Sequence, residues 1–172
     1  MPIIVIIGAG GIGSRHLQSL SKFKIPLQIF VVDPNFKALK IAKKMLDENT
    51  TPDNHSKHTK YISNIKSIPK SIDIAIISTN ADVRGIVFTN LVQRVKVKYV
   101  IFEKVAFQSV EEFQEVISIL DDLEIKSWVN CTRRMFPFYK KLRDIFSTEK
   151  KLEIHYSGSN WGLGCNSIHL LD

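Results

Sequence analysis

The sequence predicts an α/β protein built on a doubly wound parallel sheet. Two short runs read as strands buried between helices: Ile3–Ile7, which is apolar on both faces, and residues 72–78, which are rich in isoleucine. Segments with helical periodicity separate such runs along the chain, as βαβ crossovers require. A glycine-rich turn joins the first run to the first helical segment. These three observations together indicate a Rossmann-type sheet.

The first part of the chain alternates regularly between the two kinds of element. Residues 12–23 form a predicted helix, and residues 27–32 form a second buried strand that ends before Pro34. Residues 36–46 again have helical periodicity. Residues 49–60 are polar and lack an apolar rhythm, so we expect a surface loop there.

The same alternation continues to about residue 130. The predicted strands are residues 61–62, 72–78, 99–102 and 126–130, and the predicted helices are residues 82–94 and 109–123. Ser109 is the expected N-cap of the last helix, and Glu112 follows three residues later, which is the capping-box pattern.

We expect two domains, residues 1–128 and residues 129–172. From Arg133 the pattern changes to a helix up to residue 146, a short strand at 152–156 and a turn rich in Gly, Ser and Asn. Residues 167–172 have the pattern of a helix cut off in its first turns. The second domain is therefore expected to be the start of a truncated α/β domain.

The charge balance favours small anionic partners over nucleic acid. The chain has 24 Lys and Arg against 17 Asp and Glu, a formal net charge of +7 at pH 7. Its lysines lack the arginine clusters and interleaved aromatic residues of a dedicated nucleic-acid-binding protein. We expect a solvated basic surface that attracts substrates such as nucleotide sugars.

The sequence also predicts a cytoplasmic protein without a metal site. No apolar run approaches the roughly 18 residues that a membrane span needs, and the apolar start lacks the features of a signal peptide. Cys131 and Cys165 form no close pair, which fits a reducing compartment. His55 and His58 stand in a polar segment without further ligands, so no metal is expected there.

The glycine turn has the G-x-G-x-x-G spacing of a dinucleotide site, with Gly8, Gly10 and Gly13 at its glycine positions. Gly8 permits the tight turn, Gly10 lets the backbone approach a pyrophosphate, and Gly13 allows close packing of helix and strand. The helix that begins around Gly11 and Ile12 offers N–H groups and a partial positive charge to phosphates. A turn that binds nothing is the alternative.

Asp33 follows the second strand, 20 residues beyond Gly13. Its carboxylate can accept hydrogen bonds from the adenosine ribose hydroxyls and would repel a 2′-phosphate. We therefore expect NAD as the cofactor. NADP is the alternative, because Lys37 nearby could offset the repulsion.

Five stretches of the chain resemble one known family. They are GAGGIGSRH (8–16), STNADVR (78–84), FEKVAFQSVEEFQEV (102–116), VNCTRRMFPFYKKLR (129–143) and GSNWGLGCNSIHLLD (158–172). In this order they resemble the Gfo/Idh/MocA family of glucose–fructose oxidoreductase, inositol dehydrogenase and relatives. The resemblance implies an NAD(P)-dependent oxidoreductase of sugars, cyclitols or nucleotide sugars, as found in surface-polysaccharide biosynthesis. It also implies a longer chain that forms homo-oligomers through a large C-terminal sheet.

The resemblance assigns roles to residues at the strand ends. Lys104 takes the place of the catalytic lysine of the family's E-K-P motif, with Val105 where proline is usual. The resemblance places the cofactor beside the side chains that follow the fourth and fifth strands and beside the interdomain stretch. These residues are Ser78, Thr79, Asn80, Glu103 and Arg134, and an interdomain ion pair is the alternative for Arg134.

The last motif assigns His169 to substrate binding or proton transfer. Cys165 occupies the place of an aspartate that the family carries four residues earlier, and Asn166 could replace its hydrogen bonds. Asp172 is expected to be structural. Because of Cys165, Val105 and the short chain, a non-catalytic NAD-binding module or partner subunit is the alternative function.

Overall fold

A computed structural model describes residues 1–48 and 58–148, together with Glu153 and His155. The chain divides into two compact units, Met1–Val129 and Asn130–Asp172. The first unit contains six strands: β1 Ile3–Ile7, β2 Gln28–Val32, β3 Thr59–Ile62, β4 Ser71–Ile77, β5 Lys96–Phe102 and β6 Lys126–Val129.

The strands form one parallel sheet in the order β3-β2-β1-β4-β5-β6. Helices of the first unit connect them: α1 Gly11–Leu20, α2 Phe36–Asp47, α3 Ala81–Val92 and α4 Val110–Asp122, with a short 3₁₀ helix at Ile65–Ser67. The predicted doubly wound parallel sheet is therefore confirmed.

Both faces of the sheet are buried at β1 and β2, because these strands carry apolar residues on both sides. On β1, Val5 and Ile7 belong to one core and Ile4 and Ile6 to the other. The first core is rich in aromatic rings: Phe30, Phe88, Phe102 and Phe107. The second holds Leu17, Leu39 and Leu46 of α1 and α2. Helices on both faces of a parallel sheet produce this two-core arrangement.

Side-chain caps fix the starts of two helices. The Asn35 side-chain oxygen accepts a hydrogen bond from the Lys37 N–H at 2.9 Å, at the start of α2. Ser109 Oγ accepts one from the Glu112 N–H at 3.1 Å, as the capping-box pattern predicts. The Glu112 carboxylate departs from the pattern, because it bonds the N–H groups of Gln108 and Gly85.

The predicted starts of β3, of β5 and of the helix after Arg133 were wrong. Thr59 and Lys60 belong to β3 and not to a loop, because they pair with Ile29 and Phe30 of β2 at the edge of the sheet. In the second unit, a 3₁₀ helix occupies Thr132–Met135, and α5 begins only at Pro137 and ends at Phe146. Proline suits the first helical turn, because an N–H group there would have no partner within the helix and the fixed φ of proline is already helical. Some predicted segments lie outside the described residues. They are residues 49–57 of the expected loop, the expected helix at 167–172, and the expected strand at 152–156 apart from Glu153 and His155.

Within the described part of the chain, no helix is long and apolar enough to cross a membrane.

Candidate functional site

The candidate site lies where the sheet changes its winding direction. From β1 the chain proceeds through α1 to β2 on one side, whereas β4 and its successors lie on the other side of β1. The connections diverge there, which opens a crevice beyond the carboxyl ends of β1 and β4. Open α/β sheets bind ligands in this crevice.

The turn between β1 and α1 requires glycine at Gly8. Its φ of +99° is a conformation that residues with a side chain rarely adopt. A Cβ atom there would lie 3.0 Å from the backbone of Ser78 and Thr79. The Gly8 N–H donates to the Val32 carbonyl at 2.8 Å, so the turn is joined to the end of β2.

Gly13 is required by close packing. A Cβ atom at Gly13 would lie 1.8 Å from the Gly8 carbonyl oxygen and 2.8 Å from Ser78 Oγ. Helix α1 therefore approaches the turn more closely than any side chain would permit.

Gly10 and Gly11 border open space. An added Cβ atom at either position would have no heavy atom within 4 Å. The first N–H groups of α1 lack partners within the helix, and its first turn contains no acidic residue. Open space beside a positive helix end, free of any acidic side chain from that turn, suits a phosphate group.

Asp33 joins the glycine turn to the start of α2. Its Oδ2 accepts a hydrogen bond from the Ala9 N–H at 2.7 Å, and its Oδ1 accepts one from the Asn35 N–H at 2.7 Å. The side chain is half-buried. Each carboxylate oxygen has a further lone pair, so the group can also accept from a ligand hydroxyl.

The residues after β4 differ in what they do. Ser78 Oγ lies within hydrogen-bond distance of the carbonyls of Ile7 (3.0 Å) and Gly8 (2.8 Å), so this hydroxyl holds the glycine turn. Thr79 Oγ1 is buried and has no partner in the described structure. Asn80 is exposed and precedes α3 without capping it through its side chain.

Glu103 and Lys104 follow β5. Glu103 is 8% exposed, and its Oε1 lies 2.6 Å from Nε2 of His16 on α1. Lys104 is half-buried, and the peptide bond between Lys104 and Val105 is cis. Sequence reasoning missed the partnership of His16 with Glu103, although His16 belongs to the GAGGIGSRH motif.

A cleft of about 260 Å³ brings six of the expected residues together. It is lined by Ile12, Ser78, Thr79, Asn80, Ala81, Arg84, Glu103 and Lys104. Sequence reasoning assigned no role to Arg84, which is only 3% exposed. Burial lowers the pKa of Arg84, while the nearby Glu103, Glu112 and Asp82 carboxylates oppose that shift.

Two expected site residues are not part of this geometry. Arg134 lies in the 3₁₀ helix of the second unit, whereas the residues that line the cleft belong to the first. His169 lies outside the described residues. Within the described ranges, no three His, Cys, Asp or Glu side chains are placed to hold a metal ion.

The described residues fit a dinucleotide. Gly10 and Gly11 leave room beside the N–H groups of α1, and Asp33 stands at the end of β2 with acceptor capacity to spare.

Comparison with known proteins agrees with this geometry. Residues 3–131 match the family model described as "Oxidoreductase family, NAD-binding Rossmann fold" (GFO_IDH_MocA). No curated protein sequence matches the chain significantly.

Three similar solved structures illustrate the fold. Scyllo-inositol dehydrogenase from Lactobacillus casei, with bound NAD(H) and scyllo-inositol, is 16% identical at a TM-score of 0.65, with 87% of this chain and 42% of that chain covered. WlbA (WbpB) dehydrogenase from Thermus thermophilus, in complex with NAD and alpha-ketoglutarate, is 14% identical at a TM-score of 0.66. The match covers 95% of this chain and 55% of that chain. WlbA dehydrogenase from Bordetella pertussis, in complex with NADH and UDP-GlcNAcA, is 13% identical at a TM-score of 0.69. The match covers 85% of this chain and 39% of that chain.

At these identities the likeness establishes a shared fold. The chain spans between about two fifths and just over half of the length of these three structures.

Proposed function

Because this chain belongs to the oxidoreductase family with an NAD-binding Rossmann fold, we propose that it binds NAD in the cleft at the switch point and contributes Lys104 to hydride transfer. The proposed substrate is a sugar, a cyclitol or a nucleotide sugar. The known structures with scyllo-inositol and UDP-GlcNAcA support this substrate class.

One observation carries the proposal. The cleft places the start of α1, the segment after β4 and Lys104 after β5 around a single space. This supports a site in which the start of α1 would bind phosphate and Lys104 would transfer a proton.

The residues divide the work between binding and chemistry. The N–H groups of Gly11 and Ile12 would hold the pyrophosphate, and Asp33 would accept from the adenosine ribose. When bound, NAD supplies a ring carbon that accepts or returns a hydride. Lys104 Nζ would hydrogen-bond the reacting hydroxyl of the substrate and take its proton during oxidation, or return it during reduction.

Turnover measurements test the role of Lys104. Absorbance of NADH is followed with scyllo-inositol and UDP-GlcNAcA for the wild type, Lys104→Ala and Lys96→Ala. Lys96 is the matched control, because it is an exposed lysine at the opposite end of the same strand. We expect Lys104→Ala to lose about 10²–10⁴ of kcat and Lys96→Ala to stay near the wild type. Equal turnover by all three would reject the assignment.

A non-catalytic NAD-binding module is the second candidate. Val105, which stands where the E-K-P motif usually has proline, favours it. Calorimetry would then show NAD binding by the wild type, while neither scyllo-inositol nor UDP-GlcNAcA would be oxidised. Oxidation under those conditions would reject this candidate.

Location and assembly belong to the same proposal. The buried free thiol of Cys131 is consistent with a reducing cytoplasm. Homo-oligomer formation is part of the same proposal.

A further inference from the structure

Arg84 has a buried guanidinium group, and its two terminal nitrogens donate hydrogen bonds to backbone carbonyls. The two N–H groups of its Nη1 are shared among three carbonyl oxygens, those of Glu103 at 2.7 Å, Ala106 at 3.0 Å and Val105. Its Nη2 donates to the carbonyl oxygen of Thr79. The side chain is 3% exposed. Backbone dipoles therefore replace much of the water that would otherwise solvate this charge.

The four carbonyls belong to the two segments that line the cleft. Thr79 follows β4, and residues 103–106 follow β5. Lys104 stands between Glu103 and Val105, and Nη1 of Arg84 binds the carbonyls on both sides of it. A planar guanidinium has several donors in a fixed arrangement, so it can join these carbonyls. A lysine ammonium is a single point and cannot reproduce this.

Helix α4 holds the far end of the same loop. Glu112 accepts hydrogen bonds from the Gly85 N–H through Oε1 and from the Gln108 N–H through Oε2, both at 3.2 Å. Gly85 is the neighbour of Arg84 on α3. The loop between β5 and α4 is thus connected to α3 at both ends.

We propose that Arg84 is a positioning residue that fixes the backbone of residues 103–106 and so places the Lys104 amine in the cleft. The inference rests on the proposed role of Lys104. Arg84 acts through the loop and does not itself transfer a proton.

The test measures the reactivity of the Lys104 amine in the 172-residue chain, without cofactor or turnover. The protein is acetylated briefly with a lysine-selective ester, and mass spectrometry gives the labelling of Lys104 relative to Lys96. The variants are Arg84→Ala, Arg84→Lys and the control Arg94→Ala, which removes an exposed arginine just beyond α3.

We expect Arg84→Ala and Arg84→Lys to change the relative labelling of Lys104 by about fivefold or more, because the loop opens locally. Arg94→Ala should leave it unchanged. Low millimolar guanidinium should return Arg84→Ala toward the wild-type ratio, which a general loss of folding would not allow. Unchanged labelling in both Arg84 variants, with circular dichroism showing intact helices, would overturn the proposal.

A second measurement uses the wild-type protein and therefore does not depend on whether a variant folds. In protein labelled with ¹⁵N-arginine, the Nη–H groups of Arg84 should give separate, exchange-protected signals with contacts to Val105 and Ala106. Fully averaged Nη–H signals for every arginine would overturn the proposal. Failure of the wild type to bind NAD would instead reject the proposed function and leave both of these readouts intact.

Discussion

The carboxylate of Asp33 holds the glycine turn, because its Oδ2 accepts a hydrogen bond of 2.7 Å from the Ala9 N–H. The residue expected to recognise the cofactor ribose thus also fixes the backbone next to Gly8 and Gly10. Recognition and loop geometry are coupled through one side chain.

Asp33→Asn should weaken NAD binding about tenfold and narrow the preference for NAD over NADP. An amide has one acceptor oxygen, so it cannot serve both the Ala9 and Asn35 N–H groups. Its neutrality also removes the repulsion of a 2′-phosphate. Calorimetry with both nucleotides checks this, with Asp122→Asn, an exposed aspartate on α4, as the control. An unaltered ratio of the two affinities would show that Asp33 does not discriminate between them.

Gly13→Ala and Gly11→Ala should have opposite effects on stability. Gly13→Ala forces a methyl group to within 1.8 Å of the Gly8 carbonyl and should cost about 3 kcal/mol. Gly11→Ala meets no atom within 4 Å and should gain up to about 1 kcal/mol of helix propensity. Its methyl group should nevertheless weaken NAD binding, because it fills the space beside the helix start. Urea unfolding and calorimetry measure the two effects, and equal stabilities of the two variants would contradict the packing described at Gly13.

The pair of His16 and Glu103 should show a measurable coupling. Its atoms are 2.6 Å apart, and its side chains are 19% and 10% exposed. A double-mutant cycle with His16→Ala and Glu103→Ala should give about 1.5 kcal/mol. The exposed pair of Lys43 and Asp47 on α2 is the control and should give only about 0.4 kcal/mol. A coupling no larger than that of the control would mean that His16 does not fix Glu103.

Tyr61 should make stability fall at alkaline pH. Burial, and secondarily Asp47, raises the pKa of Tyr61 to about 12, and its buried hydroxyl has no partner within the described ranges. Between pH 10 and 12 the unfolded chain releases this proton while the folded chain retains it, so the free energy of unfolding decreases as the pH rises. Tyr61→Phe should lose less stability over that window and be at least as stable as the wild type at pH 8. Parallel pH curves for the two proteins would contradict this.

The sequence predicted the elements whose residues are uniform in character. β1 is apolar on both faces and β4 is apolar from Ile74 to Ile77, and the glycine spacing with Asp33 indicated the site at their ends. β3 was placed too short because its polar residues at an edge resemble a loop. β5 likewise begins earlier than expected, since Lys96 and Lys98 alternate with buried valines.

The contacts that organise the cleft could not be predicted in the same way. An arginine on a helix normally lies in solvent, and only the fold shows that Arg84 is surrounded by four carbonyls. His16 and Glu103 are 87 residues apart, so no local spacing connects them. The chemistry of the strand ends is local and readable, whereas the network that positions it depends on tertiary structure.

The most direct test of the central claim is a titration of the ¹⁵N-labelled chain with NAD, followed by NMR. We expect the largest chemical-shift changes at the backbone N–H groups of Gly10 to Gly13, Asp33 and residues 78–80, with smaller changes at Glu103 and Lys104. Absence of binding, or changes confined to residues far from the switch point, would contradict it.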